Sequence, residues 1–216
     1  RGENFGDFHT YSETVDFLDD LYASNPSIVT QKFSIGQSTE GNDIWAIKIS
    51  DNPNVDESEP EIVFDGLHHA REPIGIEAQL HYMEWLTENY GTDPDASYLV
   101  DNREIFFVPV INPDGYIYNE LMNPNGGGMW RKNRRDIDGS SCYGVDPNRN
   151  YDILWGQVGS SHSPCDDTYC GEYAHSEPEI QAYTDFALSR DLRFNLSFHS
   201  VVGAILIPWG YSTSVH

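Results

Sequence analysis

Apolar positions fall at helical spacing in the first part of the chain: Tyr11, Val15, Leu18 and Tyr22 share one face. Thr10 and Glu13 in front of that face form a capping box, so a helix is predicted from there to just before Asn25-Pro26. Ile28 to Ile35 and Ile44 to Ile49 read as strands. The polar, Gly-containing run Gly36 to Asn42 joins them, which predicts an antiparallel pair. Ser50 to Glu61 is a polar, acidic loop, and Glu61 to Leu67 a short buried strand. Helical periodicity returns from Ile74 to Tyr90 through Ile76, Leu80, Met83 and Leu86, and Pro94 suits the first turn of a short helix over Asp95 to Val100. Ile105 to Ile111 is apolar without interruption, as expected of a central strand covered on both faces. Asn112-Pro113-Asp114-Gly115 has turn chemistry. From Asn123 to Tyr173 periodicity is lost, and a loop that long inside a domain is usually functional. A helix over Glu177 to Ser189 follows, then strands at Phe194 to His199 and Ala204 to Ile207.

Strand and helix alternate without a repeat or a linker, which predicts one α/β domain with a mixed sheet. A chain of 216 residues is long enough to bury a sizeable core. No apolar run is long enough to span a bilayer, and Arg1 opens no basic n-region with an apolar h-region, so any signal peptide is expected to be already gone. The net charge of −23 argues against nucleic acid or an anionic membrane as partner. It is compatible with a solvated surface, a high-salt habitat or oxygen-ligand cation sites. The three cysteines, Cys142, Cys165 and Cys170, are clustered late in the chain, as for one local disulfide in a secreted protein with one thiol left over.

Candidate chemistry centres on Asp65-Gly66-Leu67-His68-His69-Ala70-Arg71-Glu72-Pro73, between a strand and a helix. His69 and Glu72 are spaced to grip one ion from a single turn. The alternative is a surface histidine and a glutamate that complements a helix dipole. His199, at the end of a distant apolar strand, supplies a third ligand and leaves a position open, the pattern of a hydrolytic zinc site. His68 competes for the same role, but its side chain should point to the opposite side of an extended backbone from that of His69. The basic run Trp130-Arg131-Lys132-Asn133-Arg134-Arg135 stands out in a chain with only 12 Lys and Arg. Such arginines either fork an anionic ligand or neutralise neighbouring acids.

Five ordered motifs together resemble the zinc carboxypeptidases of the A/B branch, most of all their secreted bacterial members. They are Gly66 to Glu72, Asn112 to Gly115, Trp130 to Lys132, Gly144 to Asn150, and Ser197-Phe198-His199-Ser200. The resemblance runs from about Tyr11 to the last residues. It implies a mixed, mainly parallel central sheet with helices on both faces, of which residues 1–216 would be the N-terminal two-thirds of a single catalytic domain, truncated at the C-terminus. It implies one zinc ion on His69, Glu72 and His199, with Asp146 behind the first histidine. Arg131 would polarise the scissile carbonyl, Asn148 and Arg149 would grip a terminal carboxylate, and Arg71 would line the approach to the metal. The implied protein is secreted and monomeric and acts on the C-termini of peptides and proteins.

The same resemblance carries further expectations. Ser50, Asp51, Asp56, Glu57, Glu59, Glu61 and Glu104 become candidate calcium ligands. Cys142–Cys165 becomes the disulfide, with Cys165–Cys170 as the alternative. Cis peptides are expected at Ser200-Val201 and Pro208-Trp209. The family's general base, its capping tyrosine and its pocket residue match no position here, and Val201 stands where tyrosine is common. Two other functions therefore stand beside the enzyme: a zinc-containing module that holds peptide C-termini without cleaving them, and a zinc amidase. The Asn148–Arg149 pair argues against the amidase, which needs no carboxylate clamp.

Overall fold

The uninterrupted apolar run at Ile105 becomes the middle of a five-stranded sheet. The computed structural model describes residues 5–207. Helix α1 (Tyr11–Ser24) precedes β1 (Phe33–Gln37), β2 (Asp43–Ile49) and β3 (Glu61–Gly66). Helices α2 (Ile74–Asn89) and α3 (Pro94–Asn102) lead to β4 (Glu104–Val108), and α4 (Pro113–Met122) follows it. After a long irregular stretch come α5 (Pro178–Leu188) and β5 (Leu192–Phe198). The strand order is β1-β2-β4-β3-β5. β2 pairs antiparallel with β1 and with β4, whereas β3 runs parallel to both β4 and β5.

β4 is buried throughout because helices cover both faces of the sheet. Ile105 and Phe107 pack with Leu18 and Leu21 of α1, Ile76, Leu80, Met83 and Leu86 of α2, Val100 of α3 and Tyr116 of α4. Phe106 and Val108 point the other way and meet Ile180 and Tyr183 of α5. Alternation along one strand thus divides two cores. Each fully buried side chain of this size contributes about 1.5–3 kcal/mol.

The capping box forms as expected: Glu13 N donates to Thr10 Oγ1 and Thr10 N to Glu13 Oε2. Three local expectations are corrected. The first strand starts at Phe33, and before it Val29 makes only an isolated bridge to Ile49. Asn112-Pro113-Asp114-Gly115 opens α4 and does not turn the chain. Asn112 caps the helix by accepting from Gly115 N at 3.0 Å and Pro113 sits in the first turn. Ala204 to Ile207 is not a strand: no described segment pairs with it, and Ile205, Leu206 and Ile207 are exposed. The Ser200-Val201 peptide is cis as expected; Pro208-Trp209 lies outside the described residues.

The stretch from Asn123 to Tyr173 is irregular apart from one short 3-10 turn, Pro147–Arg149, and two isolated bridges. It has its own small core of Ile137, Val145 and Tyr169, and a Cys142–Cys165 disulfide spans it. Cys170 is a buried free thiol. No described helix is long and apolar enough to cross a membrane.

Candidate metal centre

His69 and Glu72 occupy the turn from β3 to α2, and His199 follows the last residue of β5. β3 and β5 are parallel neighbours, so their carboxyl ends bring side chains 130 positions apart to one point. His69 Nδ1 lies 3.0 Å from Glu72 Oε1 and 3.2 Å from His199 Nδ1, and His199 Nδ1 lies 3.0 Å from Glu72 Oε2. Zinc bonds of about 2.0–2.2 Å in a tetrahedron put neighbouring donors roughly 3.3–3.5 Å apart, so the spacing suits one such ion with small adjustment. Two imidazole nitrogens facing each other beside a carboxylate are ligand chemistry. The third donor is remote in sequence, 130 positions from His69.

Charges around the turn are matched to that task. Burial acts to raise the Glu72 carboxyl, but hydrogen bonds from His199 and His69 and the Ser200 amide overcome it and hold the group well below the usual carboxylate range. His69 Nε2 is buried and lacks an aligned hydrogen bond, yet Asp146 Oδ1 is 3.2 Å away. A ring that gives its Nδ1 to an ion keeps its proton on Nε2, where this carboxylate can take it. Burial lowers the His69 pKa, and the nearby carboxylates of Asp146 and Glu72 more than reverse the effect. Asp146, fully buried, ends below its ordinary value through His69 and Arg131 in spite of desolvation.

Arg131 binds Asp146 Oδ2 through Nε at 3.1 Å and Nη2 at 2.8 Å, and its Nη1 stands 4.0 Å from Glu72 Oε1. One edge of the guanidinium is therefore held, while the other faces the centre. The rest of the basic run is structural. Arg134 stacks over Tyr118, Trp130 and Tyr143, Arg135 pairs with Glu177, and Lys132 donates to Pro164 O. Arg131 and Arg135, paired with Asp146 and Glu177, fit the reading in which the run neutralises neighbouring acids.

Helix α4 supplies residues that pattern reading missed. Asn112 Nδ2 donates to His68 O at 3.1 Å. Asn119 Nδ2 donates to Ala70 O at 3.0 Å and Trp130 O at 2.9 Å, and Asn119 Oδ1 accepts from Trp130 N at 2.9 Å. One buried amide thus ties the ligand turn to the segment that carries Arg131. Gly115 lets α4 come this close: a Cβ there would meet Lys132 O at 2.4 Å and Ala70 Cβ at 2.9 Å. The available signal was the spacing of the two asparagines, which puts both on one helical face.

Asn148 reaches the rim of the centre, with Nδ2 3.4 Å from His199 Nε2. Arg149 donates to Gly159 O and to Asn148 O, both at 2.8 Å, and Arg71 pairs with Asp167 at 3.1 Å. Val201 is 94 % exposed and makes no wall. The acidic loop forms two groups. Asp56, Glu61 and Glu104 meet protein cations: Arg190 binds Asp56 and Glu61, and Lys48 binds Glu104. Asp51, Glu57 and Glu59 form the other group, and among the described residues Asp51 Oδ1, Glu57 Oε2, Glu59 Oε2 and Glu104 Oε2 are buried oxygens without a hydrogen bond. Ser50 is buried, and its hydroxyl accepts from Asn52 N at 3.3 Å.

A mixed α/β sheet brings two histidines and a glutamate to the ends of adjacent parallel strands, a donor set that could hold one metal ion. Comparisons with known proteins narrow it. A family model described as zinc carboxypeptidase matches residues 14–216. Carboxypeptidase A1 of Sus scrofa is 38% identical over 211 residues, covering 97% of this chain and 48% of that protein. A zinc carboxypeptidase of Saccharothrix mutabilis subsp. capreolus is 35% identical over 211 residues, covering 95% and 48%. Among solved structures, thrombin activatable fibrinolysis inhibitor superposes with TM-score 0.86 at 31% identity, over 96% of this chain and 51% of that one. Carboxypeptidase A from Helicoverpa armigera gives 0.79 at 35%, over 92% and 47%. The chain belongs to the zinc carboxypeptidase family. It spans about half the length of the curated relatives it matches.

Proposed function

We propose that the protein is a zinc metallocarboxypeptidase that removes the C-terminal residue of peptides and proteins, with His69, Glu72 and His199 holding the ion and residues 1–216 lying within one catalytic domain. The observation that supports this most is the convergence of the three donor atoms within 3.0–3.2 Å beside an arginine whose Nη1 faces the same point. Zinc, when bound, acts as a Lewis acid and lowers the pKa of a bound water. Asp146 keeps the His69 proton on Nε2. The free edge of Arg131 donates to the scissile carbonyl oxygen and stabilises charge as it develops there. Asn148 and Arg149 fork the terminal carboxylate, which fixes the distance from the chain end to the centre and limits attack to the last peptide bond. Arg71 contacts the backbone of the residues ahead of that bond, exchanging Asp167 for substrate.

Calcium belongs to the same reading. Asp51, Glu57, Glu59 and the free oxygen of Glu104 form its site, because these oxygens are buried without donors, while Asp56 and Glu61 are already matched by Arg190. The Cys142–Cys165 disulfide favours an extracellular location. The protein acts as a monomer, and its partners are peptide C-termini, not nucleic acid or membrane. The test is hydrolysis of blocked dipeptides with and without a free C-terminal carboxylate, before and after chelation. Cleavage should need both zinc and the carboxylate. Equal cleavage of the carboxylate-free amide would sink the exopeptidase reading, and zinc-dependent peptide binding without cleavage would favour the binding module instead.

A further inference from the structure

His68 lies next to a proposed zinc ligand but does not face the centre. It is 3% exposed, and a polar ring buried so completely must be bonded. Tyr151 OH is 2.7 Å from its Nε2, and Nδ1 faces Asp65 Oδ1 and Ser197 Oγ, each at 3.5 Å. Nε2 thus meets the Tyr151 hydroxyl, and Nδ1 is turned toward Ser197 and Asp65. That carboxylate, itself fully buried, accepts from Ser197 Oγ at 2.6 Å, Asn195 Nδ2 at 2.6 Å and Tyr183 OH at 2.5 Å.

These contacts join three pieces of the proposed site. Ser197 and Asn195 belong to β5, one residue beyond which stands His199. Tyr151 follows Arg149 by two positions, so it belongs to the clamp segment. The His68 ring also lies against His199, with centroids 5.6 Å apart and planes inclined by 30°. His199 thus lies against both rings, with its centroid 4.7 Å from that of His69 and 5.6 Å from that of His68. An apolar side chain of similar size would fill the space, but it would leave Asp65 and Tyr151 short of a partner and its own plane unfixed.

We propose that His68 is a positioning residue: tethered between Tyr151 and Asp65, its ring sets the plane of His199 and anchors the clamp segment to the end of β5. The proposal rests on the zinc reading of His69, Glu72 and His199. It calls for zinc affinity by chelator competition and the visible spectrum of the Co(II)-substituted protein, measured on the wild type and on His68→Ala, His68→Phe, Tyr151→Phe and Leu18→Ala. Leu18 is a core residue of α1 and serves as a control for stability loss. His68→Ala should weaken zinc binding by about tenfold or more and shift the cobalt bands. Tyr151→Phe should move both in the same direction by less. His68→Phe should regain thermal stability over the alanine variant without regaining zinc affinity. Three results overturn the proposal: wild-type affinity and spectrum in His68→Ala, full recovery of affinity in His68→Phe, or an equal loss in Leu18→Ala. If the wild type itself binds no zinc, the centre falls and the positioning role with it.

Discussion

Asn119→Ala tests whether α4 holds the ligand turn and the Arg131 segment in register. The substitution removes three hydrogen bonds at once and leaves Ala70 O, Trp130 O and Trp130 N unpaired. An unsatisfied buried group costs about 1–3 kcal/mol. Water can enter the space of the lost amide, which favours the lower end, so the three together cost about 3 kcal/mol. For a chain of this size about 1 kcal/mol lowers the melting midpoint by roughly 2–4 °C, so a fall of about 10 °C is expected in thermal unfolding followed by circular dichroism. Zinc affinity should fall as well, because Ala70 lies between His69 and Glu72. Asn119→Asp sharpens the test. It is nearly isosteric and keeps the acceptor for Trp130 N, but it turns a carboxylate toward two carbonyl oxygens. It should therefore be worse than alanine if the hydrogen bonds matter, and near wild type if only volume does. A midpoint within about 2 °C of wild type for Asn119→Ala, with unchanged zinc affinity, would refute the reasoning.

Asp146→Asn keeps the shape but removes the charge behind His69 and Arg131, and should weaken zinc about 10–100-fold in a chelator competition; unchanged affinity would show that Asp146 does not support the ligand. Glu179, fully buried, has its pKa pushed up to about 7 by burial and by Glu177, against about 4.3 unfolded. Between those values the unfolded chain has lost its proton and the folded chain has not, so stability falls as pH rises and the loss is complete above about pH 7. Glu179→Gln should remove about 3 kcal/mol of that fall in urea unfolding compared at pH 4 and pH 8, and parallel pH profiles for the two proteins would count against it. Added calcium at about 100 times its dissociation constant should stabilise by about 2.7 kcal/mol, seen as a raised melting midpoint. Glu57→Gln should blunt that response, and a midpoint indifferent to calcium would remove the site.

Elements were legible where one local pattern has one structural meaning. The apolar run at Ile105 and the capping box at Thr10 each became what they spelled. Asn112-Pro113-Asp114-Gly115 did not, because an asparagine before proline serves equally as a turn start and a helix cap. What decided it was Gly115, whose missing Cβ lets α4 lie against Lys132 O and Ala70, a tertiary reason absent from the local string. Ala204 to Ile207 has strand composition, but a strand exists only in a ladder, and no described residue provides one. The acidic loop was legible as a cluster of carboxylates, yet composition could not divide it. The division needed Lys48 on β2 and Arg190 beyond α5, which reach the loop only in the folded chain.

The two adjacent histidines show how far the local string goes. Alternation along an extended backbone sends His68 and His69 to opposite sides, and that suffices to give the ligand role to one of them. It says nothing of the other, which by the same logic is simply turned inward. Yet the inward side is where β3 faces β5. There Asp65 lies opposite Ser197 in the register of the two strands, and Tyr151 arrives from the long irregular stretch. A histidine placed there is bonded to the strand that carries His199 and to the segment that carries Arg149. The alternation that turns His69 toward Glu72 and His199 thus turns His68 toward Ser197 and Tyr151, where the proposed positioning role would be exercised.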